Sequence, residues 1–228
     1  MREPANAARS VAGVVLAGGR SKRMGGDDKS LVPLFGKTMI ERVIERVRPQ
    51  VSVLAVNANG DPDRYAAFGL PIVADSIVGR RGESGAMAGD AANGGFAGPL
   101  AGVLAGMDWA AATSAELKWL ASFAVDVPFV PVDLVERLLA AVEADSAVLA
   151  CARSGQRIHP VFALWPLALR EDLRIAIAER GVRKVEAFMR DYRLVEVAFE
   201  IGDFDPFFNI NDPADFAAAM KYLAGATR

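Results

Sequence analysis

Residues 11–17 read VAGVVLA and run without a polar break into GGRSKRMGGDDK at residues 18–29. An apolar run of this length suits a strand buried on both faces, the kind that lies inside a parallel sheet. Such a strand needs helices on both sides, which already narrows the chain to an α/β architecture. The glycines at its exit allow positive φ and close approach of the backbone to a ligand. Backbone N–H groups at such a junction can surround a phosphate. Arg20, Lys22, Arg23 and Lys29 crowd the same stretch, and like charges repel unless an anion sits among them.

The charge distribution sharpens this. Residues 1–50 hold ten Lys or Arg against five acids, whereas the whole chain of 228 residues carries a formal charge of −2. A nearly neutral protein with a basic N-terminal segment suits a small anionic ligand and not nucleic acid or a membrane surface. Two familiar phosphate motifs are absent. Gly18, Gly19, Gly25 and Gly26 do not fit GxGxxG, and Gly36-Lys37-Thr38 mimics the end of a P-loop whose earlier glycine would fall at Leu31. An ordinary turn before a helix accounts for that mimic.

Downstream, short apolar runs alternate with amphipathic ones. Strands are expected at residues 51–56, 71–74, 119–125, 146–152, 158–164 and 194–200. Helices are expected at 38–48, 99–112, 132–144, 166–178, 183–192 and 213–223. Proline opens the helix at 99 and ends the one before Pro49. The pattern predicts a single Rossmann-like, three-layer α/β/α domain with a mostly parallel sheet, spanning residues 11–228 behind a tail at 1–10. Residues 79–98 contain seven glycines and no usable period, and read as a loop insertion that flanks the ligand site.

Cys151 is the only cysteine, which excludes an intrachain disulfide and a cysteine-based zinc site. MREPANAARS lacks the apolar core of a signal peptide. The longest uncharged stretch, residues 91–107, carries five glycines and a proline and is a poor membrane span. The expectation is a soluble, cytoplasmic protein.

Several polar residues sit where strands end. Asp126 closes an apolar strand, at the edge of a parallel sheet where ligands bind, and a lone carboxylate there suits Mg²⁺; a turn or helix cap is the plainer alternative. Asn57 and Asp75 have the same two readings: turn residues, or hydrogen-bonding groups for a base or ribose. Residues 98–102, GPLAG, either cover a ligand or allow close helix packing. His159, the only histidine, is more commonly structural than catalytic. Asn209 and Asn211 alternate toward one face or simply make a turn and cap. Arg153, Arg157, Arg183 and Lys184 read as solvated charges, and Trp119 and Trp165 as packing residues.

The stretch LAGGRSKRMGGDDKSLVPLFGKT resembles the signature of nucleotidyltransferases with the nucleotide-diphospho-sugar transferase fold. The series continues with Val56-Asn57-Ala58-Asn59, Asp75, Gly98-Pro99-Leu100-Ala101-Gly102, Asp126-Val127-Pro128, His159-Pro160 and Asn209-Ile210-Asn211-Asp212-Pro213. In that order it is most similar to the molybdenum cofactor guanylyltransferase family, over about residues 11–224. The resemblance implies transfer of GMP from GTP to the terminal phosphate of molybdopterin, forming molybdopterin guanine dinucleotide and pyrophosphate. It assigns catalysis to Lys29, Arg23 and Asp126, with Mg²⁺ as cofactor on Asp126. It places GTP against Leu16, Ala17, Gly18, Gly19, Lys29, Asn57, Asp75, Gly98, Pro99, Leu100 and Asp126, and the acceptor side at His159, Asn209 and Asn211. Implied partners are GTP, molybdopterin with or without molybdenum, and molybdenum-insertion or molybdoenzyme-chaperone proteins. One departure is that Val125 and Val127 flank Asp126 where the family commonly has polar or small residues, a change read as packing.

Three alternatives are weighed. Cytidylyl relatives read LAAG where this chain has Leu16-Ala17-Gly18-Gly19. Sugar-1-phosphate nucleotidyltransferases usually carry an additional C-terminal region. A non-catalytic nucleotide sensor or cofactor carrier on the same scaffold would have no need of both Lys29 and Asp126.

Overall fold

The computed structural model describes residues 10–18, 29–77 and 98–226. Its centre is a seven-stranded sheet built from β1 (Val11–Leu16), β4 (Val53–Asn57), β5 (Ile72–Val73), β6 (Trp119–Ala124), β7 (Leu149–Ser154), β8 (Arg157–Pro166) and β9 (Leu194–Phe199). A separate two-stranded hairpin comprises β2 (Pro33–Leu34) and β3 (Lys37–Thr38). The helices are α1 (Met39–Val47), α2 (Pro99–Thr113), α3 (Leu134–Asp145), α4 (Arg170–Ala178), α5 (Val185–Met189) and α6 (Pro213–Ala226).

The strand order is β5-β4-β1-β6-β8-β7-β9, with β8 antiparallel to both of its neighbours and every other pairing parallel. Residues 11–15 of β1 are buried, as a strand enclosed by β4, β6 and two helical layers must be. One layer packs α1 and α3 onto the sheet through residues such as Ile40, Val43, Leu134 and Leu138. The opposite layer packs α2, α4 and α5 through Leu104, Leu173 and Phe188. The three-layer α/β/α expectation therefore describes the molecule.

Local chemistry explains the boundaries. In α1, Met39, Ile40, Val43, Ile44 and Val47 form the buried stripe. Its start is a reciprocal cap: Thr38 Oγ1 accepts the Glu41 N–H, while the Glu41 carboxylate accepts the Thr38 N–H at 2.6 Å. The Thr38 N–H, and after it the Thr38 hydroxyl donating to the same carboxylate at 2.7 Å, lower the pKa of the Glu41 carboxyl. In α2 the polar–apolar alternation is lost because the helix lies against the sheet through glycines. A Cβ on Gly106 would come within 3.0 Å of Val14, and one on Gly102 within 2.3 Å of Asn57 Oδ1. Trp165 is fully buried, and its indole N–H donates to Ser122 Oγ at 2.8 Å.

The hairpin is the element the sequence does not announce. Its strands are two residues each, and the turn places Phe35 at φ 51° and Gly36 at φ 79°. Arg42 holds it by donating to the carbonyls of Leu34 (2.7 Å) and Phe35 (2.6 Å). Among the described residues, no helix is long and apolar enough to cross a membrane.

Candidate active site

Because β5, β4, β1 and β6 are mutually parallel and adjacent, their carboxyl ends lie along one edge of the sheet. This is where α/β sheets bind ligands. Leu16, Asn57, Asp75 and Asp126 all fall at or just past these ends.

Lys29 organises the centre. It opens a short 3-10 turn, Lys29–Leu31, and its side chain is only 11% exposed. The ammonium donates to Asp126 Oδ2 at 3.1 Å and to Asn211 Oδ1 at 3.1 Å, partners 97 and 182 residues away in the chain. The contact is secured from behind: the Ile210 N–H donates to the Asp126 carbonyl at 2.9 Å, and the Asn211 N–H donates to the Asp215 carboxylate at 2.8 Å. Val125 and Val127 are 8% and 2% exposed. They anchor the Asp126 turn in the core, which gives the departure noted at these positions a packing role.

A cavity of about 190 Å³ opens above these groups. Leu16, Ala17, Gly18, Lys29, Pro99 and Asp126, residues that the resemblance assigns to GTP, line it. Ser30 and Val161 also line it and were not anticipated. Ser30 is fully buried and shares a hydrogen bond with Tyr65 Oη at 3.2 Å. Val161 reaches the cavity because β8 runs beside β6, a pairing that periodicity does not reveal. Gly98 caps α2 with φ 76°, so Pro99 starts the helix at the cavity wall. Leu100 is fully buried in the core instead. Gly19 and Arg23, and the insertion apart from Gly98, lie outside the described residues.

Beside the cavity sits a second polar group. Asn57 Nδ2 donates to Asp75 Oδ1 at 2.9 Å and to the Val73 carbonyl at 3.0 Å. Asn59 Nδ2 donates to Asp75 Oδ2 at 2.9 Å, and Asn59 Oδ1 accepts the Asp75 N–H at 2.9 Å. Gly18 joins the two halves: a Cβ there would lie 3.7 Å from Asn57 Oδ1 and 3.8 Å from Asn59 Nδ2. The sequence names Asn57 and Asp75 but gives Asn59 no role.

His159 belongs to neither group. It is 8% exposed, stacks on Phe207 with ring centroids 4.5 Å apart, and meets Ser154 Oγ through Nε2 at 2.8 Å. Ser154 Oγ donates its single hydrogen to Asp205 Oδ2 at 3.1 Å, so the imidazole must donate from Nε2. Serine therefore points its proton at the carboxylate and not at the imidazole, the reverse of a nucleophilic triad. Burial pulls the His159 pKa below its ordinary value; the Asp205 charge opposes this and Arg157 adds to it. Asn209 Oδ1 is buried without a protein partner among the described residues. Cys151 is buried in the sheet and its thiol is pushed up to about 12, mainly by desolvation and then by Glu196. That makes it unreactive.

A larger opening, about 320 Å³, lies between Arg46, Phe129, Asp133, Arg137 and Phe199. Its chemistry is already satisfied: Arg137 pairs with Asp133, donates to the Ala198 carbonyl and lies 4.1 Å over the Phe199 ring. The smaller cavity, with Lys29 and Asp126 on its wall at the strand ends, is the better site.

This fold and site agree with comparison to known proteins. Residues 13–195 match the MobA-like NTP transferase domain, and the chain belongs to that family. It is 47% identical over 208 residues to a molybdenum cofactor guanylyltransferase of Rhodopseudomonas palustris (strain BisB5), covering 91% of each chain. It is 43% identical over 222 residues to a protein of the same name from Mesorhizobium japonicum, covering 96% of this chain and 99% of the relative. The crystal structure of molybdopterin-guanine dinucleotide biosynthesis protein A from Archaeoglobus fulgidus superposes with a TM-score of 0.67 at 22% identity, over 94% of this chain and 99% of that one. At that identity the likeness concerns the fold.

Proposed function

We propose that this protein transfers GMP from GTP to the terminal phosphate of molybdopterin and releases pyrophosphate. The observation that carries this is the convergence of Lys29, Asp126 and Asn211 beside a cavity at the carboxyl ends of β1 and β6, lined by Gly18, Lys29 and Asp126. The relatives' name, molybdenum cofactor guanylyltransferase, supports guanylyl transfer within molybdenum cofactor synthesis.

In this reading the triphosphate lies against Gly18 and the start of α2, where backbone approach is unobstructed and the helix N-terminus favours negative charge. Lys29 and Arg23 offset charge that develops as the acceptor oxygen bonds to the α-phosphorus and the bond to pyrophosphate breaks. A phosphate monoester is already largely ionised at neutral pH, so no general base is required. Positioning supplies the rest of the rate. Asp75 accepts hydrogen bonds from guanine N1–H and the 2-amino group, using the lone pairs that Asn57 and Asn59 leave unused.

The donor set also fits a divalent cation. Asp126 Oδ2 and Asn211 Oδ1, hard oxygens of the type Mg²⁺ prefers, both meet the Lys29 ammonium, so a cation bound by them would require Lys29 to turn onto the phosphates. These two residues would hold it, and it would supply charge neutralisation across the phosphate oxygens. On the acceptor side, Asn209 and Asn211 lie on the segment that ends at α6, and His159 backs that segment through its stack on Phe207.

Pyrophosphate release from GTP, CTP and ATP, with molybdopterin and with or without Mg²⁺, tests the proposal. GTP-selective, magnesium-dependent release is expected. A preference for CTP overturns the guanylyl assignment, and nucleotide binding without release overturns catalysis.

A further inference from the structure

The clasp around Asp75 contains more than base contact requires. Asn59 grips Asp75 twice, donating from Nδ2 to the carboxylate and accepting the Asp75 N–H at Oδ1, each at 2.9 Å. A carboxylate only accepts and an amide N–H only donates, so this pairing permits one orientation of the Asn59 amide. Asn57 adds a third bond on the other carboxylate oxygen. With one amide hydrogen on each oxygen, the carboxylate plane is fixed and each oxygen keeps one lone-pair site. Two parallel acceptor sites in a fixed plane match two parallel donors, the edge that guanine presents with N1–H and its 2-amino group.

The surroundings restrict the clasp further. Asp75 follows β5, an edge strand of two residues, so little sheet structure holds it otherwise. Asn57 is 4% exposed and its Oδ1 lies against Gly102, where any Cβ would stand 2.3 Å away. Asn57 is therefore fixed by packing, whereas Asn59, half-buried outside the strands, is held by its two bonds to Asp75.

We infer that Asn59 is a positioning residue that sets guanine selectivity by holding the Asp75 carboxylate in the plane that meets N1–H and the 2-amino group together. It acts through Asp75 and does not touch the base. The inference rests on the proposed reading of Asp75 as the guanine contact.

The test compares GTP with ITP, which keeps N1–H and lacks the 2-amino group, in wild-type protein and in Asn59→Ala. A hydrogen bond to a carboxylate is worth about 10-fold to 100-fold in affinity, so wild type should favour GTP over ITP by at least about 10-fold. In Asn59→Ala the GTP KM should rise by about 10-fold, the GTP/ITP ratio should fall toward unity, and kcat should change far less than KM. Inorganic pyrophosphate binding reports the phosphate cavity and should hold at its wild-type value. A folded Asn59→Ala with the wild-type GTP/ITP ratio overturns the inference. So does a variant that loses pyrophosphate affinity in parallel, since that marks a general structural role. Should Asn59→Ala fail to fold, Asn59→Ser gives the same readouts with a smaller side-chain loss. Failure of the underlying reading is visible separately, in unmutated protein that shows no preference for GTP over ITP.

Discussion

Two polar constellations in this molecule are each assembled from distant parts of the chain, and they behave oppositely. Lys29, Asp126 and Asn211 meet at the carboxyl ends of β1 and β6. Ser154, His159 and Asp205 meet where β7 and β8 turn toward the chain's last segment. The second group contains the serine, histidine and carboxylate that suggest nucleophilic catalysis by composition. Its bonds form a closed series from imidazole to hydroxyl to carboxylate, sealed under Phe207, with no proton directed outward. The first group contains no such trio, yet it presents an ammonium and a carboxylate to a cavity. Hydrogen-bond direction, and not residue type, separates a structural network from a site that can work on a ligand.

The largest expected effect breaks the comparison at its open side. Asp126→Ala should lower pyrophosphate release by about 100-fold to 1,000-fold, and Lys29→Ala should do comparable damage, since in the proposed mechanism Asp126 would hold the divalent cation and Lys29 would offset charge on the phosphates. Circular dichroism should show a folded protein in both. A folded variant with near-normal transfer would remove that residue from the mechanism.

On the closed side, His159→Ala should cost about 2–4 kcal/mol of stability by urea unfolding, because it deletes a stacked ring and strips Ser154 of a partner. A residual turnover within about 10-fold of wild type at permissive temperature would agree with a buttressing role. A turnover loss as deep as that of Asp126→Ala would move His159 into the reaction.

The same residue gives a pH prediction. Its folded pKa lies below the ordinary 6.5, so the unfolded chain binds the proton first as pH falls. Stability contributed by neutral His159 is therefore complete above about pH 7 and declines below the ordinary imidazole pKa. His159→Gln should flatten that decline in denaturation midpoints between about pH 7 and 5. An unchanged slope would assign the pH response to other groups.

Smaller effects test the join between site and scaffold. Gly102→Ala should destabilise by about 1–3 kcal/mol through overpacking and weaken GTP binding, because the new Cβ meets Asn57 Oδ1. A variant with normal melting and normal GTP affinity would show that Asn57 has room to yield. Thr38→Ala removes the cap of α1 and should cost about 1 kcal/mol in thermal or chemical melts, without altering the GTP/CTP preference.

Much of this was legible in the residues. The apolar run at β1 dictates a buried strand, and the stripe Met39, Ile40, Val43, Ile44 and Val47 dictates a helix in register with its capping pair. Gly18, Lys29, Pro99 and Asp126 could be named because local chemistry and the resemblance agree on them, and Leu16 and Ala17 from the resemblance alone. Ser30, Val161 and Asn59 could not. Ser30 and Val161 acquire their places from the 3-10 turn and the antiparallel insertion of β8. Asn59 acquires its place from a bond across 16 residues to a short edge strand. The hairpin at residues 33–38 escaped because two-residue strands have no period to detect.

The sequence by itself determined the α/β class, the helix and strand succession, the neutral overall charge with a basic entry loop, and the candidate groups at strand ends. These follow from short-range rules: hydrophobic period, capping, glycine and proline. Only the tertiary structure decided which polar groups are satisfied by one another and which stay open to a ligand. Those outcomes depend on strand order and on contacts across as many as 182 residues, where hydrogen-bond direction is set by neighbours that no local pattern supplies.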